Sequence, residues 1–215
     1  MNYVRLAFKQ LVTQGKYYLY FALTAMLLLA FAYYYAKYKN LDPGFMTRDT
    51  ATVLKGPAYT GFISNIGIIC WIIGGSICVF TATLLFKAGE RSKILYFFLL
   101  SGMLSFLLGA DDMFQLHEKL LTHFVYFAEN LFYLFYAFVI LYITLYCWEY
   151  FTETEFVFLV LAIGLFFLSL VVDRYNSANN LKSAFWEDTP KFIGIILWTV
   201  YFLRSANLEL KKRLR

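Results

Sequence analysis

The sequence predicts an all-α integral membrane protein: a single-domain bundle of six transmembrane helices with both termini in the cytoplasm. Three observations predict it. Hydrophobic residues fill 61% of the 215 positions and charged residues only 15%, against about 25% charge in an ordinary globular domain. Mean hydropathy is +0.61. Apolar runs close to the ~20 residues that cross a hydrocarbon core recur along the chain, with the charge gathered between them.

The spans fall at about 17–36, 60–86, 94–121, 126–148, 156–173 and 189–204. Arg5, Lys9 and Lys16 precede the first, in which Ala30-Phe31-Ala32 has the small-x-small look of a cleavage site. Its apolar run is too long for an ordinary signal peptide, so a retained signal anchor is expected. The second is rich in Gly, Ser and Thr, residues that let neighbouring helices approach closely. The third is apolar from Ile94 to Gly109 and extends toward Leu121. In the sixth, Thr189 is expected as N-cap with Pro190 at the first helical position.

Orientation follows from Lys and Arg. Eleven lie on the side of the termini and the 87–93 loop, and eight on the other, which favours cytoplasmic termini in the cell membrane. Basic residues at segment ends, with no basic soluble face, exclude a nucleic-acid-binding reading of the +5 net charge. Cys70, Cys78 and Cys147 lie in or beside apolar runs without CxxC spacing, and read as buried thiols. The 24 Phe and 18 Tyr make packing the default reading of any one aromatic residue.

Acidic residues are distributed differently. Nine of the fourteen, among them Asp111, Asp112, Glu118, Glu129, Asp173 and Asp188, fall on the side away from the termini. Insertion rules do not explain this excess, because acids contribute little to topology. The apolar run 94–109 spans about 24 Å at 1.5 Å per residue, which puts Asp111 and Asp112 near the outer interface. On a continuous helix Asp111, Gln115 and Glu118 share one face. A hairpin turn at His123 and Phe124 would set Glu118 level with Glu129, and His117 level with Asn130.

An outward-facing pocket is therefore expected. Asp111, His117 and Glu118 are its catalytic candidates, and Asp111, Asp112, His117, Glu118 and Glu129 its candidate metal ligands. Asn65, Gln115, Asn130, Asp173, Asp188 and Lys191 form the wall, with Asp173 as the anion for Lys191. Carboxylates with one histidine suit a divalent zinc, iron, manganese or calcium ion. Without metal the same groups suit acid–base chemistry.

Plainer roles compete. Asp112-Met-Phe-Gln115 reads as a capping box, with Gly109 ending one helix. Glu129 can cap the fourth span, and Glu149, Glu153 and Glu155 read as a solvated cytoplasmic loop.

Asp111 or Asp112 and His117, with Ser64 or Ser105, resemble in kind the serine, aspartate and histidine set of the membrane hydrolases that include alkaline ceramidases and the adiponectin-receptor type. That resemblance implies a zinc hydrolase. The chain departs from the pattern in lacking the third histidine, the paired histidines of the last helix and one span.

The expected function is a metal- or acid-base-assisted hydrolase or transferase acting on a lipid-like substrate. The alternatives are a cation- or proton-coupled transporter and a non-enzymatic assembly or accessory factor. Membrane lipids are the expected partners, together with a protein partner or a second copy. Against transport, the inner halves of the helices are expected to lack polar residues matching the outer acids.

Overall fold

The structure, a computed structural model, describes residues 3–48, 50–57, 59–116, 128–175 and 181–214. Among them the regular structure is all helical, with eight α-helices, one 3-10 turn and no strand. The chain divides into two compact units, Met1–Thr60 and Gly61–Arg215.

In the first unit α1 (Tyr3–Tyr38) runs uninterrupted for 36 residues, about 54 Å at 1.5 Å per residue. It contains the expected first span. After α1 the Asp42 side chain accepts from Gly44 N at 2.7 Å, which starts the 3-10 turn Pro43–Met46. The short α2 (Thr50–Val53) follows.

The second unit contains α3 (Phe62–Lys87), α4 (Lys93–Phe114), α5 (Ala128–Tyr146), α6 (Trp148–Glu153), α7 (Val157–Tyr175) and α8 (Leu181–Leu214). Four helical stretches among the described residues are long and apolar enough to cross a membrane: Phe62–Lys87, Lys93–Phe114, Val157–Arg174 and Asp188–Arg213. Leu131–Tyr146 is a shorter apolar stretch.

Glycines set close approaches between helices, among them that of α3 and α4. A Cβ on Gly102 would stand 2.7 Å from Val79 Cγ2, 3.0 Å from Cys78 Cβ and 3.1 Å from the Gly75 carbonyl. Small residues at such crossings let backbones meet where lipid supplies no hydrophobic drive. On its other side α3 packs against α8, where the Thr199 hydroxyl reaches the Cys70 carbonyl at 3.0 Å.

The middle of this unit is aromatic. Trp71, Phe166 and Trp198 meet with ring centroids 5.5–6.3 Å apart. Toward the C-terminal end of α8, Phe97, Phe98, Tyr150, Tyr201 and Phe202 form a second buried stack.

Two expected boundaries and one competing reading are corrected. α4 ends at Phe114, well short of 121, because Gln115 turns left-handed (φ 50°) and its N–H closes onto the Asp111 carbonyl. The helix does not stop at Gly109, and Asp112 caps nothing: α4 passes through both. Gly109 is there for close packing, since a Cβ would meet Trp71 Cβ at 3.0 Å. α8 begins at Leu181 rather than at Thr189, so Pro190 lies inside it. The Thr189 hydroxyl donates back to the Phe185 carbonyl at 2.6 Å. Pro190 has no N–H to give the preceding turn.

Candidate functional site

Asp111 and Asp112 occupy the last turn of α4, where consecutive side chains diverge by about 100°. The two carboxylates therefore face different helices. Asp111 is 2% exposed and accepts the Tyr136 hydroxyl of α5 at 2.8 Å on Oδ2. Asp112 is held from two sides: Trp71 Nε1 of α3 donates to Oδ2 at 2.8 Å, and Lys191 Nζ of α8 lies 2.8 Å from Oδ1. Asp188, on the same stretch of α8, is close enough to Lys191 and Asp112 to interact electrostatically with both. Four helices thus converge on two adjacent carboxylates, and exposed Met113, Phe114, Phe185 and Trp186 follow them in sequence or precede Asp188.

Lys191 pairs with Asp112 rather than with Asp173, which is exposed on the last turn of α7. The α7 terminus carries Asp173 out to the surface, whereas one α8 face presents Lys191 to α4. Asn65 and Gln115 are also exposed. His117 and Glu118 lie outside the described residues, as does the turn at His123 and Phe124. Glu129 and Asn130 lie on α5, but their side chains fall outside the described set. Among the described residues no group of three or more His, Cys, Asp or Glu is placed to hold a metal ion. At Asp112 the Lys191 ammonium and the Trp71 indole occupy the positions where a cation would approach.

Of the two serine candidates, Ser64 is exposed. Ser105 is buried, donates to the Ser101 carbonyl at 2.8 Å and accepts from Trp198 Nε1 at 2.9 Å. That engagement makes Ser105 a packing hydroxyl.

Buried polar side chains also stand toward the other end of the unit, at Ser101 of α4 and at Ser205 and Glu209 of α8 beyond the expected sixth span. Glu209 accepts from Arg213 Nε at 2.7 Å, and Arg213 Nη2 reaches Glu90 Oε2 of the α3–α4 turn at 2.8 Å. The Arg213 hydrogen bond, helped by Ser92, holds the Glu90 carboxyl at about 2, well below the usual range. The acidic α6 region is ion-paired as well as solvated, through Glu153 to Lys212 and Glu155 to Arg204. The Arg204 hydrogen bond also lowers the Glu155 carboxyl. Lys191 and Glu209 are eighteen residues apart on α8, about 27 Å along a helix. That is close to the ~30 Å thickness of a hydrocarbon core.

Trp71 and Tyr136 were absent from the sequence expectations. Each is a polar-tipped aromatic inside an apolar run, and a buried indole or phenol ordinarily needs a hydrogen-bond partner. That requirement was the available signal, and it was diluted among 18 Tyr and 4 Trp residues.

Apolar helices of spanning length around a braced pair of carboxylates define a helical membrane protein with a polar centre at one end of its bundle. The chain belongs to the family described as Domain of unknown function (DUF8692), which matches residues 19–205. No curated protein and no solved structure matches it.

Proposed function

We propose that the Asp111–Asp112 end of the bundle is an acid–base centre acting on a lipid-like substrate at one leaflet. The observation that carries this reading is the different setting of two neighbouring carboxylates, Asp111 fully buried and Asp112 half-buried, each turned to different helices. Asp112 is neutralised in place by Lys191 and oriented by Trp71, whereas Asp111 is buried against a phenol. Pairs of titratable groups set in contrasting environments are the pattern of divided acid and base roles. Asp111 takes the proton of a water or hydroxyl as its oxygen bonds to an ester centre of the substrate, and gives that proton to the ester oxygen that departs. Tyr136 orients Asp111, and Asp112 with Lys191 positions the turn. An amphipathic substrate suits a charged centre next to exposed Met113, Phe114, Phe185 and Trp186.

A divalent metal on Asp111 with His117, Glu118 and Glu129 is the variant of this reading in which the ion activates the water. The engagement of Asp112 favours a set without it. In the membrane arrangement proposed, α1 and α5 complete six spans with the four long apolar helices. Both termini lie in the cytoplasm, and the aspartates face the opposite leaflet.

The test is incubation of the purified chain with a lipid extract, followed by mass spectrometry of the headgroups. Wild type converts a lipid class, Asp111→Asn does not, and chelation separates the metal variant from the metal-free one. Identical lipid profiles for wild type and Asp111→Asn would sink the proposal.

Cation or proton transport is the second reading, favoured by the inner Glu209–Arg213–Glu90 layer. Between the two layers stand Trp71 and Trp198, whose indoles donate and cannot accept, so they cannot hand on a proton. The surrounding Phe97, Phe98 and Phe202 are fully packed. This middle supports a reaction site at one end over a pathway through the bundle.

A further inference from the structure

At the other end of the second unit, a half-open cleft of about 240 Å³ lies between the start of α4 and α6. It is lined by Ser92, Lys93, Ile94, Glu149, Tyr150 and Glu153. Its lining carries both signs of charge, with one ammonium from α4 and two carboxylates one helical turn apart on α6. Glu149 is exposed, and Glu153 also meets Lys212 at 3.0 Å.

The cleft is built at interfacial depth. Lys93 is the first residue of an apolar spanning helix, and its ammonium lies 5.8 Å from the Tyr146 ring. Tyr146 and Trp148 are exposed beside it. Aromatic rings with a basic residue at a span end are the mark of the headgroup level. The volume is below the ~300–1,000 Å³ of a pocket that encloses a whole small molecule. It suits a headgroup whose chains stay outside, along Ile94, Tyr146 and Trp148.

We propose that this cleft binds a zwitterionic amine–phosphate head, with the phosphate on Lys93 and a primary ammonium between Glu149 and Glu153. A purely anionic head would meet Glu149 and Glu153, and a simple cation would meet Lys93 and the Lys212 that pairs with Glu153, so a group bearing both charges matches the lining best. A primary ammonium donates three hydrogen bonds, whereas a quaternary one donates none. Phosphatidylethanolamine is therefore preferred to phosphatidylcholine. The proposal goes beyond the acid–base reading and is independent of it, since it concerns the opposite end of α4.

The experiment is native mass spectrometry of the full chain released from mixed micelles of phosphatidylethanolamine, phosphatidylcholine and phosphatidylglycerol. Phosphatidylethanolamine is expected to be retained about tenfold over phosphatidylcholine, equivalent to ~1.4 kcal/mol. Glu149→Gln, an exposed change that leaves the melting temperature in place, brings that ratio close to one. Lys93→Gln lowers retention of the phospholipids together. Free phosphoethanolamine distinguishes the sources: displacement of the lipid assigns the site to a soluble head, and failure to displace it assigns the site to membrane lipid. Equal retention of the three lipids by wild type, or an unchanged ratio in Glu149→Gln, overturns the proposal.

Discussion

Removing the Lys191 ammonium isolates the energetics of the aspartate end. In Lys191→Met the Asp112 carboxylate, 13% exposed as a side chain, keeps its bond from Trp71 Nε1 but loses its counter-charge at 2.8 Å. Breaking a fully buried pair costs about 3–5 kcal/mol, because the remaining charge is stranded. An exposed pair is worth only about 0.2–1 kcal/mol. Lys191 is 36% exposed, so this pair falls between those limits, and we expect a loss of ~2 kcal/mol. For a chain of about this size that corresponds to a melting temperature about 4–8 °C lower. Asp112→Asn keeps an oxygen for Trp71 and removes the stranded charge. The double variant Lys191→Met/Asp112→Asn should therefore be more stable than Lys191→Met alone, by roughly 1 kcal/mol. A double-mutant cycle of unfolding in micelles measures both quantities. A Lys191→Met protein as stable as wild type, or a double variant no better than the single, would refute the reasoning.

Three further outcomes follow from the same geometry. Gly102→Ala forces a Cβ to 2.7 Å from Val79 Cγ2 and 3.1 Å from the Gly75 carbonyl, so it should lower stability by about 1–3 kcal/mol. Gly164→Ala, with nothing within 4 Å of its Cβ, should cost nothing in the same thermal assay. Tyr136→Phe removes the hydroxyl that buried Asp111 accepts, at a cost of about 1–3 kcal/mol, while Phe135→Leu at an exposed neighbour leaves stability unchanged. The Glu90 carboxyl is depressed from 4.5 to about 2 by Arg213 and Ser92. Its contribution is therefore present above 4.5 and is lost as pH falls through about 2. Arg213→Gln should flatten stability against pH across that interval, and a profile parallel to wild type would count against the Arg213–Glu90 contact.

The apolar helices were legible because hydropathy is a local property: each apolar run declares itself without reference to its neighbours. The second, fourth and fifth expected spans sit within a few residues of α3, α5 and α7. Errors came at helix ends. At Gly109 the missing side chain suits a helix end, yet α4 continues through it as the expected third span does, and the space left is taken by Trp71. Thr189-Pro190 reads locally as a helix start, yet α8 runs through it. At both positions a contact from another helix, or turns preceding the proline, outweighed the local preference.

By itself, then, the sequence determined the helical class, the apolar segments and the placing of Asp111 and Asp112 at the end of one of them, since all of these follow from residue type and spacing. Only the tertiary structure decided the partners. That Lys191 meets Asp112 and not Asp173, that Trp71 and Tyr136 supply the donors, and that Glu209 joins Arg213 to Glu90 depend on helix rotation and crossing. Those are set by glycine contacts and aromatic packing between segments remote in sequence. A charge close to lipid is tolerated only with a partner, so the need for one is written in the chain, and its identity emerges when the helices pack.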